Sequence, residues 1–234
     1  MVKKIVFGAL TLLLAICMVG CGGKKDGNDA KNDTAKTEAP AYSADKAVLA
    51  YAQLFAYGVI EDENQQAAGM TEDDIKEVQN QIIAPLVEYF KEYPLSDESV
   101  AEMTGRYIGK LHAAMNMTAT VKKDDPTNPV VELTATTINQ EGADKVAESN
   151  EDLIALGIAY GELQAQGLTE EQLKASPEFQ QFALESIEKF INELPLNPES
   201  KIEVTCEAVT GADGKLYWAP KNPEEISKFV NDEK

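Results

Sequence analysis

Few residues of this sequence combine the type and the spacing that chemistry requires. His112 is the only histidine, and a histidine metal site usually recruits a second histidine or cysteines. Cys206 lies in the alternating stretch KIEVTCEAV, and no neighbour in the sequence supplies the base that a cysteine nucleophile needs. We therefore interpret His112 as a surface or core-edge residue and Cys206 as a small buried hydrophobe.

Acidic residues are far more numerous, with 40 Asp and Glu against 21 Lys and Arg. The clusters Glu61–Glu63 and Glu72–Asp74 do not follow the spacing of a calcium-binding loop. The first is expected in a solvated loop, and the second falls at a predicted helix start, where the helix dipole favours acids. The chain also lacks the HExxH, GxSxG and glycine-rich nucleotide-binding motifs. We therefore predict no catalytic residue, no metal site and no cofactor.

The formal net charge of −19 bears on the choice of partner. Such an excess of acid argues against nucleic-acid binding, which needs basic patches, and against lying flat on anionic lipid. We interpret the charge as a means of solubility through mutual repulsion. Attraction of cationic partners or divalent ions is the functional alternative.

Two aromatic residues near the C-terminus are the candidates for surface contact. Tyr217 and Trp218 follow Asp213-Gly214, a dipeptide typical of a hairpin turn. Successive strand residues point to opposite faces. One of the two rings is therefore expected to pack inward, and the other could contact a partner.

The N-terminus has the pattern of a secretory signal. Lys3 and Lys4 precede an apolar run, Ile5–Val19, which is shorter than the roughly 20 residues that cross a bilayer. A basic start, a short apolar run and small residues at its end predict a signal peptide over residues 1–20.

The four residues Met18-Val19-Gly20-Cys21 resemble the lipobox of bacterial lipoproteins, although Met18 departs from the usual Leu. The resemblance implies cleavage before Cys21 and a diacylglyceryl anchor on its sulfur, so that the lipid bilayer is a partner. A plain signal peptide or an uncleaved anchor is the alternative. The implied location is the outer face of the bacterial cytoplasmic membrane, or a periplasmic or outer-membrane leaflet in a bacterium with two membranes.

Residues 21–42 comprise the lipidated cysteine and a predicted flexible tether. The segment Gly22–Ala41 has almost no large apolar side chain, so it cannot bury enough surface to offset the entropy of ordering. A coil of this length spans roughly 25 Å. We expect the folded region to float just clear of the membrane.

Two nearly equal octapeptides, GMTEDDIK at Gly69–Lys76 and GLTEEQLK at Gly167–Lys174, indicate a duplication. Thr71 and Thr169 are predicted N-caps, each with a hydrophobic staple. Gln172 completes a capping box with Thr169, and Asp74 forms a shorter, weaker version with Thr71. Other similar stretches recur in the same order about a hundred residues apart, such as YFKEYPLSDES and KFINELPLNPES. We predict two diverged repeats, residues 43–142 and 143–234.

Each repeat is predicted to contain helices followed by an antiparallel β-hairpin. In the first repeat, helices start at Ser43, Thr71 and Ser96, and Pro85 should kink or break the second helix. In the second, one helix over 143–166 precedes starts at Thr169 and Ser176, and Asn222 caps a closing helix. The stretches MNMTATVKK with PVVELTATTIN, and SKIEVTCEAV with KLYWA, form the two hairpins. The fold class is α+β and helix-dominated.

The layout of lipobox, polar tether and acidic helix-rich domain resembles that of uncharacterised lipoproteins from Firmicutes and related bacteria. A similarity of each half to the cone of nuclear transport factor 2 is the weaker resemblance. We expect a non-enzymatic module that binds an unknown envelope protein or wall component. A small-solute binding or sensing lipoprotein and a hydrolase with paired carboxylates are the alternatives.

Overall fold

The structure of the chain is a computed structural model that describes residues 39–233. The predicted signal peptide, Cys21 and nearly all of the tether lie outside the described residues. The first half contains four helices and two strands: α1 (Ala44–Tyr57), α2 (Asp62–Gln65), α3 (Glu72–Lys91), α4 (Asp97–Met115), β1 (Thr118–Lys123) and β2 (Val130–Ala135).

The second half again places helices before strands and adds a closing helix. Its elements are α5 (Gln140–Ser149), α6 (Glu151–Ala165), α7 (Glu170–Lys174), α8 (Pro177–Glu193), β3 (Ser200–Thr210), β4 (Leu216–Pro220) and α9 (Pro223–Val230). Helices predominate over one small antiparallel sheet, so the predicted α+β class is confirmed.

The two predicted hairpins lie side by side in one sheet of order β1-β2-β3-β4. The central pair, β2 and β3, joins the halves, with Val131 opposite Val204 and Leu133 opposite Ile202. Val131 and Leu133 are fully buried, and β-branched and large apolar residues suit such a covered face.

Helix α1 is the centre of the core. It contacts β1, β2 and β4 on one side and α3, α4 and α9 on the others. The small residues Ala47, Ala50 and Ala52 are completely buried and allow this close approach. The main apolar cluster contains residues of both halves, including Phe90 and Phe190, so the halves share one core.

Two of the predicted elements differ from the observed ones. The helix expected over 143–166 is divided at Asn150, which is 5% exposed. Asn150 Oδ1 accepts from the Leu153 N–H at 2.9 Å, and Nδ2 donates to Glu193 Oε2 at 2.7 Å. An asparagine with these partners competes with the helix for backbone hydrogen bonds and starts a new one. The Glu61–Glu63 segment is not a simple loop, because Asp62 begins α2.

The predicted disruption at Pro85 does not break α3, which continues through it to Lys91. The predicted N-cap positions at Ser43 and Asn222 are occupied, but neither side chain makes a capping hydrogen bond.

The two octapeptides adopt the same local structure. Gly69 and Gly167 both have positive φ, at 65° and 93°, and Thr71 and Thr169 both form full capping boxes. The helices that they start differ in length: α3 has 20 residues, whereas α7 has 5 and ends before Pro177. The division into two repeats remains a prediction.

Candidate binding cleft

A cleft of about 1140 Å³ lies between α3, α4, the start of α5 and the segment formed by the end of α9 and the residues after it. The C-terminal end of α1 contributes Ala56 and Tyr57 to it. The elements that meet here are far apart in sequence, and the shared core holds them together.

The α3 wall of the cleft is apolar and only partly covered. Of the 20 residues of α3, Ile75 and Phe90 are the buried ones. Ile82, Ile83 and Leu86 line the cleft and remain half-buried. Helix α3 packs against α1 and α4, and Leu86 and Tyr89 also contact the main core. These side chains nevertheless stay half-buried, so part of their apolar surface remains uncovered on the cleft side.

The opposite wall comes from α4, which contributes Tyr107, Ile108, Leu111 and Met115. Burial raises the pKa of Tyr107 to about 12, so its hydroxyl stays neutral at any physiological pH. Burial, followed by the charge of Glu61, also raises the pKa of Tyr57. The phenols on this side therefore add polar but uncharged groups to an apolar wall.

The third side is a rigid segment between β2 and α5. Asn139 Oδ1 caps α5 by accepting from the Gly142 N–H at 2.7 Å. The Asn139 N–H donates to the Pro195 carbonyl at 2.9 Å, and Asn197 Nδ2 donates to Thr137 Oγ1 at 3.0 Å. These bonds fix the segment against the chain that leaves α8, which gives the cleft a preformed edge.

The rim of the cleft is strongly acidic. Six carboxylates line it: Glu88, Glu92, Glu141, Asp144, Asp232 and Glu233. Lys91 is the one basic residue among the lining side chains, and its ammonium lies 2.8 Å from Glu88.

Two of the rim acids have cationic partners and one has an unsatisfied oxygen. Glu88 pairs with Lys91, and Glu141 pairs with Lys145 at 2.6 Å. Asp144 Oδ1 is buried and has no hydrogen-bond partner within residues 39–233. An unpaired buried acceptor costs about 1–3 kcal/mol, so this carboxylate would gain from a donor supplied at the cleft.

A second hollow lies under Tyr217, the sequence-predicted contact residue. Its lining includes Tyr42, Gly69 and Lys215. The Tyr217 ring packs so closely on Gly69 and Gly211 that an added Cβ would lie 2.5 Å and 2.7 Å from ring atoms. The Tyr217 ring therefore occupies space that a side chain at either glycine position would fill.

The polar end of Tyr217 is also satisfied. Its hydroxyl donates to Asp213 Oδ2 at 3.0 Å, and Asp213 also accepts from the Lys215 N–H at 3.0 Å and pairs with Lys215 Nζ at 2.9 Å. The side-chain and then the backbone hydrogen bond from Lys215 lower the pKa of Asp213 to about 2. Trp218 is half-buried and packs against the main core.

The other candidate residues are distributed separately. His112 is exposed, and its Nε2 lies 2.8 Å from Glu61 Oε1. The hydrogen bonds from His112 and then from Gln53 lower the pKa of Glu61. Cys206 is fully buried, and burial raises the pKa of its thiol to about 12. Within the described part of the chain, no group of three or more His, Cys, Asp or Glu side chains could hold a metal ion.

The cleft was not predicted from the sequence. Its lining runs from Ala56 to Glu233 with no motif, so only the tertiary arrangement brings these residues together. One signal was available, because the stretch from Ile82 to Tyr89 is more apolar than one packing face requires. Of the predicted site residues, Tyr217 and Trp218 lie outside the cleft, and Cys21 lies outside the described residues.

No helix between residues 39 and 233 is long and apolar enough to cross a membrane.

Comparison with known proteins leaves the family open. No protein-family model matches the chain, and no curated protein sequence matches it. A similar solved structure is the 2.62 Å crystal structure of a "putative lipoprotein (ycdA)" from Bacillus subtilis subsp. subtilis str. 168, with a TM-score of 0.46 and 14% sequence identity. The match covers 81% of this chain and 55% of the other, so this chain spans about half the length of that protein.

Proposed function

We propose that the protein is an envelope lipoprotein, held at the membrane through Cys21, whose folded region is a non-enzymatic binding module that takes its partner in the cleft. The observation that carries the proposal is the cleft of about 1140 Å³, whose apolar lining includes the half-buried Ile82, Ile83, Leu86 and Ile108. The anchor rests on the signal pattern and the lipobox resemblance at residues 1–21.

The chemistry of the cleft supports binding more than catalysis. Ligand sites are typically concave, mostly apolar and furnished with a few convergent polar groups. Here Ile83, Leu86 and Ile108 supply the apolar surface, and Asn139 and Asn197 supply polar groups at one edge. Contiguous apolar surface left open on a soluble domain usually marks an interaction site.

The position of the cleft suits a tethered protein. Residues Ala41 and Tyr42, close to the first described residue, line the hollow under Tyr217. The cleft instead lies at the far end of α1, whose 14 residues span about 21 Å. A partner could therefore enter the cleft without meeting the point where the tether joins the fold.

The anchor is tested by replacing the proposed lipidation site. Cys21→Ala should move the protein from the membrane fraction to the soluble fraction of cells and should remove labelling by a fatty-acid analogue. Cys206→Ala is the matched control, because it removes the buried cysteine and should leave the protein on the membrane. Retention of unlipidated Cys21→Ala in the membrane would refute a lipid anchor.

The cleft is tested with Nile red, a neutral dye that fluoresces in apolar sites. The chain from residue 21, carrying Cys21→Ala so that it has no lipid, should bind the dye saturably. Ile108→Gln, in the cleft, should weaken binding, whereas Ile158→Gln should not, because Ile158 is 57% exposed on α6 and does not line the cleft. Equal loss in both variants, or no binding by the parent chain, would overturn the proposed site.

A small solute is the alternative occupant. The volume slightly exceeds the roughly 300–1,000 Å³ of small-ligand pockets, which favours a larger ligand. A metabolite that raises the melting temperature of the parent chain but not of Ile108→Gln would favour the solute.

A further inference from the structure

We infer that the partner presents a basic amphipathic α-helix, whose apolar face lies in the cleft and whose Lys or Arg side chains meet the acidic rim. This inference rests on the proposed function, because it names the class of occupant for the same cleft.

The charge of the rim is the first argument. Six carboxylates surround the opening, and the single lysine that lines it is already paired with Glu88. Like charges held around one opening repel each other, and a cationic partner relieves that repulsion. Complementary charge also steers the partner towards the site and rejects acidic competitors. The net charge of −19 adds a long-range attraction for basic partners.

The shape of the walls is the second argument. On α3, the half-buried Ile82, Leu86 and Tyr89 follow helical spacing along the cleft. On α4, Ile108, Leu111 and Met115 do so, with Ile108 half-buried and the other two buried at the base of the cleft. Two such apolar rows on neighbouring helices form the kind of groove that receives an amphipathic helix through residues at i, i+3, i+4 and i+7. The acids then lie where the polar flanks of the incoming helix would be.

The secondary structure of the lining argues against an added strand. Strand addition requires an open sheet edge, which supplies the main-chain hydrogen bonds. The cleft is lined by α1, α3, α4, α5, the last residue of α9 and connecting segments, and no residue of the strands β1 to β4 contributes to it. An extended peptide would find apolar contacts here but no ladder of backbone partners.

Asp144 supplies a specific contact within this arrangement. Its Oδ1 is buried without a partner, while Asn139 and Gly142 at the start of the same helix bond to each other. A hydrogen bond to a charged donor is worth more than a neutral one. Because Oδ1 is shielded from solvent, the Asp144 side chain would have to rotate towards the cleft for a lysine or arginine of the partner helix to satisfy this acceptor. That bond would then fix the register of the helix.

The test uses a designed probe of about five helical turns, made of leucine and lysine with leucine on one face and carrying a fluorescent label. Anisotropy is measured with the chain from residue 21 that carries Cys21→Ala. We expect saturable binding that weakens as salt is raised, because exposed charges are screened. A leucine–glutamate helix of the same pattern should bind far more weakly, and so should a leucine–lysine probe interrupted by proline.

Matched variants locate the charges. The rim pair Glu92→Gln with Glu233→Gln should weaken binding of the basic helix about fivefold, the loss expected for two exposed ion pairs. The pair Glu199→Gln with Glu207→Gln makes the same change in net charge away from the cleft and should change binding less than twofold.

The outcomes distinguish a failure of the proposed binding cleft from a failure of the inferred basic helix. If Nile red binds in the cleft and the basic helix does not, the binding site stands and the inferred partner is wrong. If neither binds, the proposed function fails as well. Equal binding of the acidic helix would refute charge recognition, and equal binding of the proline-interrupted probe would refute recognition of a helix.

Discussion

The cleft between α3 and α4 and the hollow under Tyr217 differ in how completely their side chains are satisfied. In the hollow, the Tyr217 ring covers Gly69 and Gly211, and its hydroxyl bonds to Asp213. In the cleft, apolar residues stay half-buried, acids crowd one rim, and the buried Asp144 Oδ1 has no partner within the described residues.

The hollow stabilises the fold, whereas the cleft has surface that is free to bind a partner. A hollow whose groups already satisfy one another gains little from a ligand, since binding would first have to break those contacts. A cleft with uncovered apolar surface and an unpaired polar atom gains from a partner that covers it. An aromatic residue near the surface is therefore a weaker guide to a site than the contacts that it makes.

The largest expected effect is a difference in stability between substitutions on the core side and on the cleft side of α3. Phe90 is 1% exposed in the main core, whereas Leu86 is half-buried on the cleft side. Phe90→Ala should lower the free energy of unfolding by about 4 kcal/mol and Leu86→Ala by about 1 kcal/mol, because the cleft side has less packing to lose. Urea denaturation measures both, and a larger loss for Leu86→Ala would mean that the cleft is closed.

The next effect tests the packing of Tyr217 on glycine. Gly69→Ala should cost about 3 kcal/mol, because a positive φ strains an alanine and the new Cβ meets the Tyr217 ring. Gly167→Ala is the control: it shares the positive φ but has open space around it, so it should cost only about 1 kcal/mol. Equal losses would show that Tyr217 does not pack tightly there.

A smaller effect concerns the function of the two regions. Tyr217→Phe removes the hydroxyl that bonds to Asp213 and keeps the ring. It should lower the free energy of unfolding by less than about 1 kcal/mol and leave binding of the basic helix unchanged, whereas Ile108→Gln should weaken that binding. Loss of binding in Tyr217→Phe would transfer the site to the hollow.

The smallest effect is a pH dependence at the hairpin turn. The pKa of Asp213 is lowered to about 2 in the folded chain, below the ordinary value of about 3.9. Its stabilising contribution should be fully present above the ordinary value and should be lost as the pH falls through the folded value. Carboxyl NMR should show this low midpoint, with a rise towards the ordinary value in Lys215→Met. An ordinary midpoint in the parent chain would show that the Lys215 contacts do not persist in solution.

Local signals explain why the fold was more predictable than the cleft. The capping boxes at Thr71 and Thr169 and the strand β3 depend on residues close in sequence. The box at Thr169 formed as expected, the one at Thr71 is more complete than expected, and β3 formed at its predicted place. The break at Asn150 was missed because it depends on burial and on a bond to Glu193, 43 residues away. Capping bonds expected from Ser43 and Asn222 did not form.

The cleft could not be predicted for the same physical reason on a larger scale. Its walls, at Ile83, Ile108, Asn139 and Asp232, meet only because α1 and the β2–β3 pairing bring both halves onto one core. Acidity was visible in the composition, and its concentration around an apolar opening was not.

The most direct test of the account is to map where the basic helix binds. Amide NMR spectra of the unlipidated chain from residue 21, labelled with nitrogen-15, are recorded during titration with the leucine–lysine probe. The account predicts shifts that saturate along α3, α4 and the start of α5, with Tyr42, Gly69 and Tyr217 unchanged. Shifts centred on Tyr217 and Gly69, with the α3 and α4 walls unaffected, would contradict it.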